Sequence, residues 1–450
     1  MPETTTRPDA RLRLARAAAV SLGLVAMLGY LGVRGLKGLR NPYADFYDFF
    51  HAAAAFRAGT DLYTSGDNGY IYPPLLAFLL QPLTALGERG AGVAWIALML
   101  AGTALATVLA AGTSVRTLAP EDPRARDWTS RLAPGVLALL VLLTTFKREF
   151  DWANCNVLVI LALVLAAAWM ERRAFLAGFL LGFAVHIKYL PIVFLPYFLV
   201  RRRWGAAGGM VAGLVVFALL PAAGSGWGGN LHDLGVAHRG MAAMLGVEVE
   251  GPAANVVPIE AEYSMSWTSS CVRMAIALGV DRTWAFVAAA GGAVVMAAAA
   301  WGLYALAREP FWRVGARTGA RGRVVVHLEL AGLVVAMLLF GPQTLLRHLN
   351  MLLPVVACAL ALALFGAGRG MRAIAWLAIG LLVLGAVHMP APDLWRETVT
   401  AWRAYGGISV SIGVFYLLIL HAGLRHARAL DRAAISAPSS SPSDGCARSG

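Results

Sequence analysis

This 450-residue chain is short of charge: only 14% of it is Asp, Glu, Lys or Arg, and acids number 25 against 38 bases. So little charge cannot clothe a soluble surface of this size. With 59% apolar residues and a mean hydropathy of +0.66, the chain reads as an integral membrane protein. Cysteine is also scarce. Cys155, Cys271, Cys358 and Cys446 have neither metal-ligand spacing nor a close-set even framework, which speaks against a zinc site and a disulfide scaffold. There is no Gly-rich strand-to-helix loop to cradle a nucleotide phosphate, no Asp-x-Asp constellation to compel a metal, and no convincing duplication of one half in the other. The net charge of +13 lies in short runs between apolar segments, a pattern of membrane topology and not of nucleic-acid binding.

What is present is a series of apolar segments, at about 17–36, 90–113, 132–147, 154–170, 174–186, 188–200, 205–222, 284–307, 324–341, 349–366, 372–388 and 406–424. They imply an all-α, polytopic bundle of about twelve transmembrane helices. One membrane domain, 17–428, would follow a cytoplasmic segment, 1–16, and precede a disordered cytoplasmic tail, 429–450, rich in Ser and Pro from Ala437. The first segment, from Ala15 to Tyr30, is like a signal-peptide core, but no small-residue cleavage site follows it, so it is expected to stay as an anchor.

Placing the basic runs inside makes Arg7 to Arg16, Arg116 to Arg131, Arg172 with Arg173, Arg201 to Arg203, Arg308 to Arg323, Arg369 with Arg372, and Arg425 with Arg428 cytoplasmic, and both termini with them. This works only if 266–280 does not cross, so that stretch reads as a re-entrant or interfacial helix. Segments 174–186 and 188–200 are short and meet at His186-Ile187-Lys188-Tyr189, which suggests broken helices around a cavity. The outer face then gathers 41–88, the 147–156 loop, Lys188, a long loop over 222–266, and 342–350. Arg34, Lys37, Arg40, Lys147 and Arg148 break the charge rule there and could meet anionic headgroups or a phosphate. Trp152, Trp227, Trp267, Trp395 and Trp402 fall near expected membrane boundaries, where indoles commonly anchor. Glu248, Glu250, Glu260 and Glu262 could bind an acceptor or a cation, or simply be solvated.

Two carboxylates three apart, Asp45 and Asp48, stand just outside the first apolar helix in Asp45-Phe46-Tyr47-Asp48-Phe49-Phe50-His51. Acids in such a chain usually face water or a cavity, which makes the pair a candidate site. The competing reading is an interfacial helix that shows Asp45, Asp48 and His51 to water and its phenylalanines to lipid.

After the pair come Gly59, Leu62-Tyr63, Tyr72-Pro73-Pro74 and an apolar helix through Pro82-Leu83. This order resembles glycosyltransferase family 87. The likeness continues at Asn156, where the family usually has Gly-Gln-x-Asn and this chain has Ala153 and Asn154 for the first two. It runs on through Gly178-x-x-x-Gly182, Lys188 with Pro191, and Gly341-Pro342-Gln343-Thr344-Leu345-Leu346-Arg347-His348. In that last segment Pro342, Thr344 and His348 match the family's pattern, whereas Arg347 stands where the family has a histidine.

The resemblance implies a GT-C fold and a plasma-membrane hexosyltransferase that takes a sugar, mannose by family analogy, from a polyprenyl-phosphate donor to a lipid or glycan acceptor on the outer face. Asp45 matches the family's first-loop Asp and is the candidate general base for direct inversion, with loop 41–88 as the catalytic loop. Asp48, on the same face of a helix, could orient Asp45 or contact the acceptor. Lys188, Arg347 and His348 are the candidates for the departing phosphate, and Tyr72, Pro73, Pro74 and Asn156 are motif positions. Each cation also has a structural reading: snorkelling for Lys188, backbone contacts for Arg347, a satisfied histidine for His348. No cofactor is implied beyond the lipid-linked donor, and a divalent metal stays open. A transporter or flippase is the alternative from another class, and a catalytically inactive scaffold a third.

Overall fold

The computed structural model describes residues 10–66, 69–247, 256–311, 319–387 and 395–436. Among them regular structure is helical throughout. The helices in chain order are α1 (Ala10–Gly38), α2 (Asp45–Ala58), α3 (Pro74–Thr84), α4 (Gly87–Leu118), α5 (Trp128–Val141), α6 (Leu143–Asp151), α7 (Asn156–Trp169), α8 (Ala174–Ile187), α9 (Phe194–Val200), α10 (Trp204–Leu219), α11 (Ala222–Met244), α12 (Trp267–Ala277), α13 (Arg282–Leu306), α14 (Gly319–Phe340), α15 (Leu353–Phe365), α16 (Arg369–Leu382), α17 (Arg396–Ala404) and α18 (Gly407–Ser436).

Each expected apolar segment falls on helix. Among the described residues seven helices are long and apolar enough to cross a bilayer, and up to nine if two bent pairs each count once: α5 with α6, bent by 63°, and α10 with α11, bent by 94°. Four further apolar helices are shorter, including α7, α8 and the 190–200 stretch. The bundle therefore has crossings of unequal length, several of them interrupted. α14 and α15 are largely buried, α15 being apolar all round, whereas α1 and α13 expose most of their apolar surface, as helices facing lipid do.

Small residues set one of the closest crossings. An added Cβ at Gly178 of α8 would lie 1.9 Å from the Ala206 carbonyl oxygen of α10, and one at Gly209 of α10 would lie 2.0 Å from the Phe175 carbonyl oxygen. Backbones that close are possible only without side chains between them, the usual device of helix pairs in lipid.

Three expectations need correction. The expected loop 222–266 contains α11, whose Gly-rich first turns are kinked at Gly226 (φ +72°). Residues 429–436, expected in the tail, continue α18. Arg34 and Lys147, expected to be available to headgroups or phosphate, both hold Asp151, at 2.6 and 2.8 Å. Within 266–280 lies the short helix α12, packed on α13. Arg7, Glu248, Glu250 and the tail from 437 lie outside the described residues.

The basic runs converge on one end of the bundle. Arg16 donates to Ser130 (3.4 Å), Arg203 pairs with Glu171 (3.4 Å), Arg321 pairs with Asp431 (2.8 Å), and His426 meets the Leu118 carbonyl (2.6 Å). The acidic-pair segment lies at the other end. Trp95, near the start of α4, donates to the Ala153 carbonyl at 2.8 Å, and Arg116 near its end lies among the basic runs. The 21 residues between them rise about 31 Å, the thickness of a bilayer's hydrocarbon core.

Candidate active site

The site is built on the start of α2. Asn41 precedes it in an Asx turn, its Oδ1 accepting from the Tyr43 N–H at 3.1 Å, and α2 begins at Asp45. Phe46, Phe49 and Phe56 then recur at helical spacing and are buried, Phe49 edge-on to Trp95 of α4 and Phe56 edge-on to Phe78 of α3. This removes the interfacial reading in which those rings face lipid. Burial fixes the helix in rotation and turns Asp45 and Asp48 together into a cavity of about 1020 Å³. Asp48 is itself buried under the turn at Gly66.

A second segment crosses from the α6–α7 turn. Ala153 there has φ +47°, in the left-handed region that L residues rarely adopt, and stands where the resemblance places a glycine. The tight turn delivers Asn154, whose Nδ2 donates to Asp45 Oδ2 and, at 3.3 Å, to the Tyr72 hydroxyl. Behind it Glu149, fully buried, accepts from the Asn156 N–H (2.7 Å) and Nδ2 (2.6 Å), capping α7.

The third segment is the tight turn of residues 346–352. Arg347 Nη1 lies 3.3 Å from Asp45 Oδ2, and its guanidinium lies over the Trp152 ring, 5.6 Å from the centroid. Lys188, at the break after α8, is 2.9 Å from His348 Nε2 and 5.7 Å from the Tyr72 ring centre. His348 Nδ1 accepts from the Leu345 N–H at 3.2 Å, which helps fix the ring's place.

Tyr72 itself is held by the loop before α3. Tyr63 donates to the Tyr72 carbonyl at 3.1 Å, Tyr70 donates to the Pro73 carbonyl at 2.8 Å, and Pro74 opens α3 at a position where its missing N–H costs nothing. Burial pushes the Tyr72 phenol well above its ordinary range, so it stays protonated.

The structure thus gathers Asp45, Asp48, Tyr72, Lys188, Arg347 and His348 from four distant parts of the chain. Asp45, Asp48, Tyr72 and Arg347 line the cavity; Lys188 and His348 stand behind them. Three residues that sequence reasoning did not place in the site belong to it. Asn154 was visible as the amide standing where the family has glutamine. Glu149 is an acid between phenylalanines, a signal in a membrane chain. Trp152, read as an interfacial anchor, lines the cavity beneath Arg347. Arg148 also lines it and, among the described residues, has no ion-pair partner.

On Asp45 the two oxygens differ. Oδ2 takes both Asn154 and Arg347, while Oδ1 has no hydrogen bond among the described residues. One oxygen positions the carboxylate and the other is available to a ligand. Among the described residues no three His, Cys, Asp or Glu side chains cluster as a metal site would need.

Comparison with known proteins identifies the family. The sequence model of Glycosyltransferase family 87 matches residues 70–321. The chain belongs to glycosyltransferase family 87. It is a multi-pass membrane enzyme of hexosyl transfer, which sets aside the transporter reading. A polyprenol-phosphate-mannose-dependent alpha-(1-2)-phosphatidylinositol mannoside mannosyltransferase of Mycobacterium tuberculosis is 28% identical over 389 residues, 83% of this chain and 82% of that one. An alpha-(1->3)-arabinofuranosyltransferase of Corynebacterium glutamicum is 30% identical over 170 residues, 36% of this chain and 38% of that one. Among solved structures, ArnT from Cupriavidus metallidurans covers 92% of this chain and 79% of its own at 16% identity, with a TM-score of 0.39.

Proposed function

We propose that this family 87 enzyme moves a hexose, mannose first among candidates, from a polyprenyl-phosphate donor to a lipid or glycan acceptor, with inversion and with Asp45 as general base. The observation that carries this is the half-engaged carboxylate at the cavity wall: Oδ2 fixed by Asn154 and Arg347, Oδ1 without a partner. The names of two mannosyltransferases to which it is similar support the donor.

In the step, the acceptor hydroxyl attacks the anomeric carbon and gives its proton to Asp45 Oδ1. The bond from that carbon to the phosphate oxygen breaks, and its electron pair leaves with the polyprenyl phosphate. Arg347 and Arg148 face the cavity and are placed to hold the departing charge; Arg347 adds a planar fork suited to a phosphate. A phosphate within reach of Arg347 competes with Asp45 for the guanidinium, so donor binding would free the base when it is needed. Lys188 and His348 support Arg347 and Tyr72 from behind. Asp48 is placed to meet the acceptor.

By the charge rule the basic end, with the first and last helices' ends, is assigned to the cytoplasmic side, and on this reading the active site opens on the outer face of the plasma membrane. Cysteines introduced at Thr60 and Ala320 should label from opposite sides of sealed vesicles; labelling from one side would overturn this orientation. The activity is tested with purified protein, polyprenyl-phosphate [14C]mannose and extracted lipids. Label should enter lipid acceptors, and should not do so from a nucleotide-linked mannose. Failure with every lipid-linked hexose and folded protein would overturn the donor assignment.

A further inference from the structure

A second large cavity, about 1170 Å³, opens at the basic end, a bilayer's thickness along α4 from the active site. Its walls bring together Arg116 from the end of α4, Arg126 from the turn before α5, Arg172 and Arg173 from the α7–α8 turn, and Arg323 from the start of α14. Among the described residues none of these five has a carboxylate partner. The two acids on the wall are already engaged, Asp122 with Arg124 at 2.7 Å and Glu171 with Arg203 at 3.4 Å. A topology signal alone needs bases in each loop; it does not need guanidiniums from four segments to ring one concavity. Packed like charges of this kind call for an anion.

The cavity adjoins a groove of about 260 Å³ between α4 and α5, with which it shares Leu109, Arg116 and Arg131. The groove is apolar and open on its flank, where Val108 and Trp128 are 46% and 54% exposed. Gly112 leaves its floor bare: a Cβ there would meet nothing nearer than the Arg116 guanidinium, at 3.6 Å. A basic chamber at headgroup depth with an apolar groove leading from it fits one molecule with both properties.

We propose that this basal cavity binds an anionic phospholipid from the cytoplasmic leaflet, its phosphate among Arg116, Arg172 and Arg323 and an acyl chain in the Gly112–Trp128 groove. The lipid would brace α4, α5, α7 and α14, helices whose far ends carry the active site. The site is separate from the transfer reaction and stands whether or not the donor assignment does.

The test is native mass spectrometry of the full chain released from detergent, titrated with dioleoylphosphatidylglycerol, dioleoylphosphatidylcholine or inorganic phosphate. Wild type should retain one phosphatidylglycerol in clear preference to phosphatidylcholine, and phosphate should neither bind comparably nor displace it. The Arg116→Gln/Arg172→Gln/Arg323→Gln variant should lose at least about tenfold in apparent affinity, towards the phosphatidylcholine level, and the matching triple Lys variant should keep most of it. Gly112→Leu, which fills the groove and leaves every arginine, should weaken phosphatidylglycerol as well. Unchanged binding in the Gln variant or in Gly112→Leu overturns the proposal, as does phosphate that binds as well as the lipid, which would mark a site for a free anion.

Discussion

Two carboxylates inside this bundle have opposite surroundings. Glu329, ten residues into α14, is buried and fully engaged: Arg201 lies at 2.7 Å, and the hydroxyls of Tyr197 and Tyr304 donate at 2.6 and 3.0 Å. Asp45 has a cation and an amide on one oxygen only and shows the other to a large cavity. A charge in apolar surroundings is tolerable when every lone pair is met, and Glu329 is such a structural knot joining α9, α13 and α14. An acid left half-met at the wall of a cavity has the arrangement of a group kept ready for a reactant. Charge alone would rank the two alike; the count of satisfied oxygens separates them.

The comparison breaks most visibly on substitution. Asp45→Asn keeps the shape but cannot accept the proton, and should cut transfer on the order of 10³-fold with little change in thermal stability. Glu329→Gln should do the reverse. It leaves Arg201 buried without its counter-charge, should cost about 3 kcal/mol of stability, and should leave the turnover of the protein that still folds close to wild type. Thermal unfolding in detergent, read beside transfer per folded molecule, checks both.

A smaller effect sharpens the roles around Asp45. Lys188→Ala should raise the KM for the lipid-linked donor about tenfold with a lesser change in kcat, through lost support of Tyr72 and His348. A fall in kcat alone would place Lys188 in the chemical step. The smallest concerns the backbone. Ala153→Gly relieves the left-handed turn that presents Asn154 and should stabilise by about 0.5 kcal/mol, the gain from φ being offset by the looser unfolded chain. A loss of stability would show that the turn is not strained by its alanine.

The sequence made the helices legible because lipid demands long apolar runs, and the runs mark where helices lie, although α1 begins seven residues before its run and α18 ends twelve residues after its own. It also made Asp45, Asp48 and the cations legible, because polar groups in such a chain are few. Their pairing was not legible. Arg347 and Asp45 are 302 positions apart, and no periodicity links them. α11 was hidden by composition, since Ala222-Ala223-Gly224-Ser225-Gly226 reads as a loop until packing makes it helical. Residues 429–436 were hidden for a related reason: they extend α18 and, with Asp431 and Arg432 among them, have no long apolar run of their own. Asn154 was legible only through the likeness to the family, as one amide in place of another.

Asp45 acts and Glu329 holds. The most direct measurement is single-turnover transfer of radiolabelled mannose from polyprenyl-phosphate mannose by wild type, Asp45→Asn and Glu329→Gln, each normalised to folded protein. Transfer should be lost in Asp45→Asn and kept in Glu329→Gln. Normal transfer in Asp45→Asn, or loss in a fully folded Glu329→Gln, would contradict this.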